Sequence, residues 1–306
     1  MKKIINGILL IDKEEGETSF DVVRKLKHRF KGLKVGHAGT LDPFATGLMI
    51  ILLGQGTKLS NLIMSEDKIY QATMCMGIET DSQDLTGKIL ATSEVPDLSL
   101  EEVRTKARDF IGQTQQTPPL YSATKYNGTR AYKLARKGIK VELPKKNIFI
   151  HYLKILNINT NHVSMEIKCS KGTYIRTLAV DLGKSLGTVA HLHSLRRLAS
   201  GKFHVNHSIK STEIPKLELL QLTSRIIPLR EALPNLKEIE LNDQLSEQIK
   251  HGYQPSWDEL NRREGFEALK IEDLKLVKDQ QLVAISRIEP TRRKNHEKLK
   301  IYKVFS

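Results

Sequence analysis

The sequence has little of what a disulfide framework, a membrane span or a secretory signal requires. Only two cysteines occur among the 306 residues, Cys75 and Cys169, which leaves no disulfide scaffold and no CxxC metal clip. No apolar run approaches the ~20 residues that cross a bilayer, and the best candidate spans only Leu48 to Leu53. The N-terminal MKKIINGILLIDKEEG has a short apolar part and lacks a small-residue cleavage site. We therefore expect a cytoplasmic protein with no membrane partner.

Phosphate-binding glycine loops and complete sets of metal ligands are also missing. The stretch GQGTKLS lacks the GxxxxGK[ST] spacing, and no GxGxxG follows a predicted strand, which disfavours nucleotide-dependent chemistry. His191 and His193, with His204 and His207 nearby, could ligate zinc, but no cysteine or suitably placed carboxylate completes the set. We interpret these histidines as structural, surface or RNA-facing residues. The sequence thus predicts neither a cofactor nor a metal.

Positive charge, in contrast, is abundant. The chain has 49 Lys and Arg against 35 Asp and Glu, a net charge of +14, which favours polyanions such as nucleic acid or an anionic membrane surface. Half of this charge, +7, lies between Tyr121 and Lys146. Three tyrosines at positions 121, 126 and 132 are interleaved with its cations, a mixture typical of surfaces that neutralise phosphates and stack bases. A solvated basic helix is the alternative interpretation.

Two further basic clusters occur outside this segment. The first, RKLKHRFKGLK from Arg24 to Lys34, continues a predicted helix that Thr18, Ser19 or Asp21 could cap. Its apolar positions are Val22, Val23, Leu26 and Phe30, so its basic face is predicted to point outward. The other, in RIEPTRRKNHEKLKIYK, follows a strand predicted over Gln281 to Ile288.

The predicted elements mix strands and helices without regular alternation. Strands are predicted at Ile4–Ile11, Ile69–Cys75 and Val163–Cys169, and helices at Leu98–Phe110 and Thr177–Leu186. This pattern indicates an α+β fold rather than a Rossmann sheet. Prolines at 215, 228 and 234 precede a series of short strand-like runs, LKLV, LVAISRI and KIYKVF. We therefore predict two domains, residues 1–240 and 241–306.

One acid stands alone in an unusually small-residue stretch, GHAGTLDPFATG. Asp42 before Pro43 could be the N-cap of a helix with proline at its first position. The surrounding glycines at 36, 39 and 47 instead permit close approach of a ligand to the backbone. Arg176, in CSKGTYIRTLAVDLGKSLG, is likewise ambiguous. It could lie on the surface, or it could point inward, where a buried carboxylate would be its natural partner.

Five blocks of the sequence together resemble one enzyme family. GHAGTLDPFATGLMIILLGQGTKL resembles the catalytic motif of the bacterial TruB family of tRNA pseudouridine synthases. The other blocks follow the family's order: GILLIDKEEGETS, KIYQATMCMGIETDSQDLTG, QTPPLYSATKYNGTRAYKLARKG and CSKGTYIRTLAVDLGKSLGTVAHLHSLRRLASGKF. The resemblance covers roughly residues 5 to 235. It implies a mixed, mainly antiparallel β-sheet catalytic domain flanked by helices, followed by a small PUA-like, RNA-binding β-domain.

The resemblance also implies a reaction and its residues. The family converts uridine-55 in the T-arm of tRNA to its C5-linked isomer by base flipping, without cofactor or metal. Asp42 matches the catalytic aspartate, and the sequence does not decide whether it attacks the sugar C1′ or the base C6. Arg176 matches the arginine that pairs with this aspartate and is expected to lower the pKa of its carboxyl group. Tyr70 matches the tyrosine that stacks on the base and helps to remove the C5 proton. His37 matches a support of the flipped nucleotide, and Leu195 matches a wall of the base pocket.

The resemblance further implies substrate contacts at Lys13, within GHAGTLDPFATG, and on a mobile thumb, residues 118–146, that clamps the T-loop. These are Gly39, Thr40, Lys13, Lys125, Arg130, Tyr132, Lys133 and Arg136. Glu14 stands where the family usually has proline, which affects the local turn. We expect tRNA as partner, no obligate protein partner and a monomer. The alternatives are a non-catalytic tRNA-binding or folding protein, and a guide-RNA-dependent pseudouridine synthase.

Overall fold

The computed structural model describes residues 5–139, 141–261, 273–290 and 297–305. Three details of the sequence predictions lie outside these ranges: the strand start at Ile4, Lys140 in the basic segment, and residues 291–296 of the C-terminal basic cluster.

The elements follow the chain in a mixed order. The strands are β1 (Gly7–Lys13), β2 (Val35–His37), β3 (Thr46–Leu53), β4 (Lys68–Met76), β5 (Ile78–Thr80), β6 (Ile89–Thr92), β7 (Gly112–Gln116), β8 (Lys125–Tyr126), β9 (Thr129–Arg130), β10 (Lys146–Asn159), β11 (His162–Cys169), β12 (Ala190–Ser200), β13 (Phe203–His204), β14 (Ile209–Lys210), β15 (Lys237–Glu240), β16 (Asp273–Lys278), β17 (Gln281–Pro290) and β18 (Glu297–Val304). The α-helices are α1 (Ser19–Arg29), α2 (Ser60–Ser65), α3 (Leu100–Arg108), α4 (Ala131–Ala135), α5 (Ile175–Ser185), α6 (Leu219–Thr223), α7 (Asp243–Lys250) and α8 (Trp257–Asn261). Short 3₁₀ turns lie at Gly54–Leu59 and Val205–His207.

A mixed, mainly antiparallel sheet forms the body of the protein, which confirms the predicted α+β class. Its strands run in the order β14-β1-β3-β12-β4-β11-β10-β7. The pairs β1–β14 and β3–β12 are parallel, and the other neighbours on this path are antiparallel. The central pair β4–β12 brings Tyr70 opposite Arg197 and Ala72 opposite Leu195. Two distant parts of the sequence therefore meet in the middle of the sheet.

Helices α1, α3 and α5 share one apolar core with this sheet. Residues from β1, β3, β4 and β11, such as Leu9, Ile51 and Met165, join Leu26 of α1 and Leu178 of α5 in that core. Helix α1 begins where Thr18 accepts a hydrogen bond from the backbone N–H of Asp21, and Asp21 accepts one in return from the backbone N–H of Thr18. This capping box satisfies two backbone donors at the helix start. Of the three candidate caps, Thr18 is the one used.

A second sheet, in the order β15-β16-β17-β18, covers the opposite side of β1 and β3. Val277, Ile285 and Phe305 of this C-terminal part belong to the same apolar cluster as Ile8 and Ile50. Strands buried on both faces read as continuous apolar runs instead of alternating ones, which explains LMIILL in β3. The C-terminal β-domain is thus present, whereas its boundary at residue 240 stays a prediction. Within the described ranges, no helix has the length and apolarity that crossing a bilayer would demand.

Candidate active site

Asp42 lies in the loop between β2 and β3, which we call the Asp42 loop (residues 38–45). The backbone N–H of Ala45 donates to the carbonyl of Asp42 at 3.1 Å, so Asp42-Pro43 forms a tight turn. No helix starts there, so the N-cap interpretation is wrong. Gly47 follows the loop at φ +102°, and a Cβ on it would lie 2.3 Å from the carbonyl oxygen of Arg197. Only glycine fits this close approach of β3 to β12.

The structure brings Asp42 and Arg176 together, as the resemblance implies. Nε of Arg176 lies 3.0 Å from Oδ2 of Asp42, and Nη2 lies 3.4 Å from Oδ1. The Arg176 side chain, in the first turn of α5, is only 5% exposed, whereas that of Asp42 is 35% exposed. Arg176 therefore points inward, and the more exposed partner, the Asp42 carboxylate, faces the cavity described below.

Three further acceptors hold the Arg176 guanidinium. Nη1 donates to the carbonyl of Ser82 at 2.9 Å and lies 3.4 Å from Oδ2 of Asp84, and Nη2 donates to the carbonyl of Tyr121 at 2.8 Å. Asp84 is buried, and it accepts hydrogen bonds from the hydroxyls of Ser82 and Thr86, both at 2.6 Å. Asp84 was missed in the sequence because TDSQDLTG reads as a polar turn between short strands.

Burial, more than its charged neighbours, sets the ionisation of Asp42. Burial raises the pKa of its carboxyl above the ordinary value of 3.8. The positive charge of Arg176 opposes this rise, Asp84 adds to it, and Lys13 opposes it. Arg176 thus lowers the pKa of Asp42 as expected, but burial outweighs this effect and the net pKa is raised. A carboxylate that is poorly solvated by water is more reactive toward an electrophile than a hydrated one.

Tyr70 and Leu195 line the same cavity as Asp42, which has a volume of about 660 Å³. Gly39, Thr40, Arg130 and Tyr132 from the predicted set also line it. Burial raises the pKa of the Tyr70 hydroxyl, and the positive charge of Arg197 opposes that rise. The cavity thus combines an acid, a cation, an aromatic ring and an aliphatic wall, and its size falls within the range of sites for small ligands.

Arg197 is a second residue that sequence reasoning missed. Its side chain is 2% exposed, and its Nε donates to the carbonyl of Leu48 at 2.6 Å. Its Nη2 donates to the carbonyl of Gly39 at 3.2 Å, and Nη1 lies 3.5 Å from that of Thr40. Arg197 therefore holds the start of the Asp42 loop against the sheet. Its neighbour Arg196 points elsewhere and pairs with Asp12 at 2.6 Å.

Lys13 and His37 support the loop from other directions. Lys13 is fully buried and donates to the carbonyls of Glu14, Glu17 and Pro43 at 2.9, 2.7 and 3.1 Å. Burial lowers its pKa to about 8. The structure thus places Lys13 beneath the Asp42 loop rather than in the cavity wall. His37 ends β2, and burial together with the charge of Arg197 lowers its pKa, which favours a neutral ring.

In residues 118–139 and 141–146 of the predicted thumb, the structure has a small hairpin and a short helix rather than one long basic helix. Asn127 and Gly128 have φ of 46° and 79° and form the turn between β8 and β9, as an Asn-Gly pair favours. The side chain of Gln116 anchors the start of this segment by bonding the backbone N–H and carbonyl of Tyr174 at 2.8 and 3.0 Å.

The thumb cations divide between the cavity and the outer surface. Arg130 lines the Asp42 cavity, and Arg136, 5.6 Å from the Tyr132 ring, lines an adjoining cavity of about 420 Å³ that Asp42 also lines. Lys125 and Lys133 are exposed outside both. Across the described ranges, no group of three or more His, Cys, Asp and Glu residues is arranged to hold a metal ion.

Comparison with known proteins places these features in a family. The model of the TruB family pseudouridylate synthase N-terminal domain matches residues 25–175, and that of the tRNA pseudouridylate synthase B C-terminal domain matches residues 176–234. The tRNA pseudouridine synthase B of Opitutus terrae is 42% identical over 235 residues, which is 77% of this chain and 98% of that protein. The Francisella philomiragia protein of the same name is 43% identical over 223 residues, covering 72% of this chain and 74% of its own length.

A solved structure shares the fold. It is described as "Crystal Structure of a Cbf5-Nop10-Gar1 Complex", and its matching chain superposes with a TM-score of 0.75 at 22% identity. The match covers 98% of this chain and 85% of the other. At this identity the likeness shows the fold alone.

Proposed function

Because this chain belongs to the TruB family of pseudouridylate synthases, whose activity is the isomerisation of uridine to pseudouridine in tRNA, we propose that it modifies uridine-55 of the T-arm with Asp42 as nucleophile. The observation that carries this proposal is the Asp42–Arg176 pair, which stands in the wall of a cavity together with Tyr70 and Leu195. The pair comes from segments 134 residues apart.

The chemistry asks for one nucleophile and a place for the base to turn. The N1–C1′ bond of the uridine breaks, the base rotates, and a C5–C1′ bond forms. The C5 proton leaves and N1 gains a proton, so no atom is added overall. Attack by Asp42 at C1′ or at C6 serves this sequence equally, since either gives a covalent intermediate from which the carboxylate is later released. The cavity confines the base while it is detached.

Each neighbour of Asp42 has a distinct part in this proposal. Arg176 balances the carboxylate charge when the RNA excludes water from the cavity, and Asp84 together with Ser82 and Tyr121 keeps the guanidinium in place. In this proposal the Tyr70 ring stacks on the uracil, and its hydroxyl assists removal of the C5 proton. Leu195 forms the apolar wall. Arg197 and Lys13 hold the loop that carries the nucleophile.

The free energy of RNA binding must also offset the free energy needed to open the T-loop. Eversion of a base costs a few kcal/mol in stacking and pairing, whereas stacking on an aromatic side chain returns about 1–3 kcal/mol per base. We assign this task to the thumb, where Tyr132 and Arg130 face the cavity and Lys125 and Lys133 offer charge to phosphates. We further propose that residues 241–306 bind RNA and that the protein acts as a monomer without a guide RNA.

The test is the activity of the purified protein on an unmodified T-arm stem-loop, followed by chemical mapping of pseudouridine. Modification at position 55 of this bare RNA supports the proposal and excludes dependence on a guide RNA. Asp42→Asn should abolish the modification and keep the affinity within a few-fold, because binding rests on the basic surface. Asp109→Asn, at an exposed position on α3's C-terminal end, is the matched control. Full modification by Asp42→Asn would instead point to a non-catalytic role for this cavity.

A further inference from the structure

Helix α1 carries a basic stripe that takes no part in the site described above. Phe20, Arg24 and Lys27 follow one another at spacings of four and three residues, which places them on one face of α1, and Lys31 lies in the turn just beyond the helix end. All four are exposed in the structure. Phe20 is 61% exposed and the side chain of Arg24 is 68% exposed. We call these four residues the α1 stripe.

Packing explains the other face of α1 but not the stripe. Val22, Val23 and Leu26 bury the inner face in the core of the main sheet. Cations near the C-terminus of a helix are favoured by its dipole, and this accounts for Lys27. The dipole does not account for Arg24 at the midpoint of the helix, for Lys31 beyond its end, or for an exposed Phe20.

The stripe has the composition of a surface for nucleic acid. The ammonium of Lys27 lies 5.8 Å from the centre of the Phe20 ring, so a cation and an aromatic face are offered together. Arg24 pairs with Asp21 at the exposed surface, where such pairs contribute little and exchange readily. Cations interleaved with an exposed ring suit phosphates and unstacked bases.

The position of α1 ties the stripe to the substrate. The hydroxyl of Ser19 donates to the carbonyl of Leu41 at 3.0 Å and accepts from the N–H of Leu41 at 2.9 Å. Helix α1 therefore starts against the Asp42 loop. At a rise of about 1.5 Å per residue, Lys27 lies about 12 Å along the helix from Ser19. The thumb is linked to the site from another direction, since the carbonyl of Tyr121 accepts a hydrogen bond from Arg176, the arginine that pairs with Asp42.

We propose that the α1 stripe binds the sugar–phosphate backbone of the substrate tRNA outside its T-arm. This rests on the proposed function, in which the everted uridine of the T-arm enters the cavity and the T-arm is held by the thumb. A basic surface that begins at the same loop, and is not part of the cavity wall, then meets the next part of the folded RNA. The stripe adds affinity for whole tRNA over an isolated stem-loop and leaves the chemical step unchanged.

The experiment compares two RNAs and two triple variants. The stripe variant is Arg24→Gln, Lys27→Gln and Lys31→Gln, because glutamine keeps side-chain length and helix propensity. The control variant loses the same charge at exposed lysines of α3, β10 and α5: Lys106→Gln, Lys154→Gln and Lys184→Gln. Dissociation constants and isomerisation rates are measured over a range of salt for full-length unmodified tRNA and for its T-arm stem-loop.

The stripe variant should bind full-length tRNA at least tenfold more weakly, with kcat unchanged and with unchanged binding of the stem-loop. The negative slope of log association constant against log salt for full-length tRNA should become less steep by about 2–3, since each lost phosphate contact accounts for about 0.7–0.9 of the slope. The control variant should retain the wild-type slope.

Three results would overturn the proposal. Equally weakened binding of both RNAs by the stripe variant would assign the stripe to the T-arm, and unchanged binding of both would give the stripe no part in RNA binding. The same weakening by the control variant would show that net charge alone is responsible. Failure of the proposed function would look different. The unsubstituted protein would then isomerise neither RNA, while its affinities could still be compared.

Discussion

Asp42→Asn is expected to abolish isomerisation and to leave the protein at least as stable as the wild type at neutral pH. The amide keeps the shape of the side chain but cannot act as the nucleophile, and loss of a nucleophile lowers kcat by about 10⁴-fold or more. The Arg176 guanidinium keeps its contacts with Ser82, Asp84 and Tyr121. It is therefore not left as an unpaired buried charge.

The stability effect follows from the pKa of Asp42. Burial raises this pKa above 3.8 in the folded protein, against the opposing charge of Arg176. The unfolded chain releases the proton near pH 3.8, whereas the folded protein keeps it to a higher pH. Between these two pH values the wild type loses stability as the pH rises, and the asparagine variant does not. At pH 7 its melting temperature should equal or exceed that of the wild type, at about 2–4 °C per kcal/mol.

The two halves of this prediction have separate assays. Release of tritium from C5-tritiated uridine in tRNA measures isomerisation, and thermal unfolding between pH 4 and pH 8 measures stability. The advantage of the variant should shrink toward pH 3.8, the ordinary aspartate value. Isomerisation by a variant whose mass shows no deamidation back to aspartate would refute the nucleophilic role of Asp42. A melting temperature at pH 7 well below that of the wild type would refute the electrostatic reasoning.

Replacing the cation of the pair, by Arg176→Met, leaves Asp42 and Asp84 without their shared partner and should lower the free energy of unfolding by about 3–5 kcal/mol in chemical denaturation. Adding Asp84→Asn should restore part of this loss. An Arg176→Met variant as stable as the wild type would contradict this reasoning. Gly47→Ala places a Cβ 2.3 Å from the backbone of Arg197, so it should lower the melting temperature more than Gly32→Ala, which has similar positive φ but open space. Neutralisation of Lys133, Arg136 and Lys137 should weaken T-arm binding and reduce its salt dependence; an unchanged slope would mean that the thumb cations face away from RNA.

Much of the fold was predictable because it depends on local pattern. The apolar spacing after Thr18 predicted α1, and helices predicted at Leu98–Phe110 and Thr177–Leu186 correspond to α3 and α5 within two residues at each end. The basic segment was different. Its Asn-Gly pair is a local turn signal that the charge pattern obscured, and the structure has a hairpin there.

The site was predictable only where a known motif covers it. Periodicity could not decide whether Arg176 points inward, and the TruB resemblance paired it with Asp42. Asp84 and Arg197 escaped because their parts depend on contacts across 92 and 158 residues, which no local pattern records. The net direction of the Asp42 pKa also needed the structure, since burial of a side chain is a tertiary property.

The meeting of three segments at one guanidinium also bears on the order of folding. The partners of Arg176 lie 134, 94 and 55 residues away along the chain, at Asp42, Ser82 and Tyr121. Contacts of such long range form late, after the entropy of closing the intervening loops has been overcome. The basic stripe of α1, by comparison, needs only one local helix. On the functions proposed above, the cationic surface of α1 depends on one short segment, whereas the proposed nucleophile gains its arginine partner only when distant segments of the chain have met.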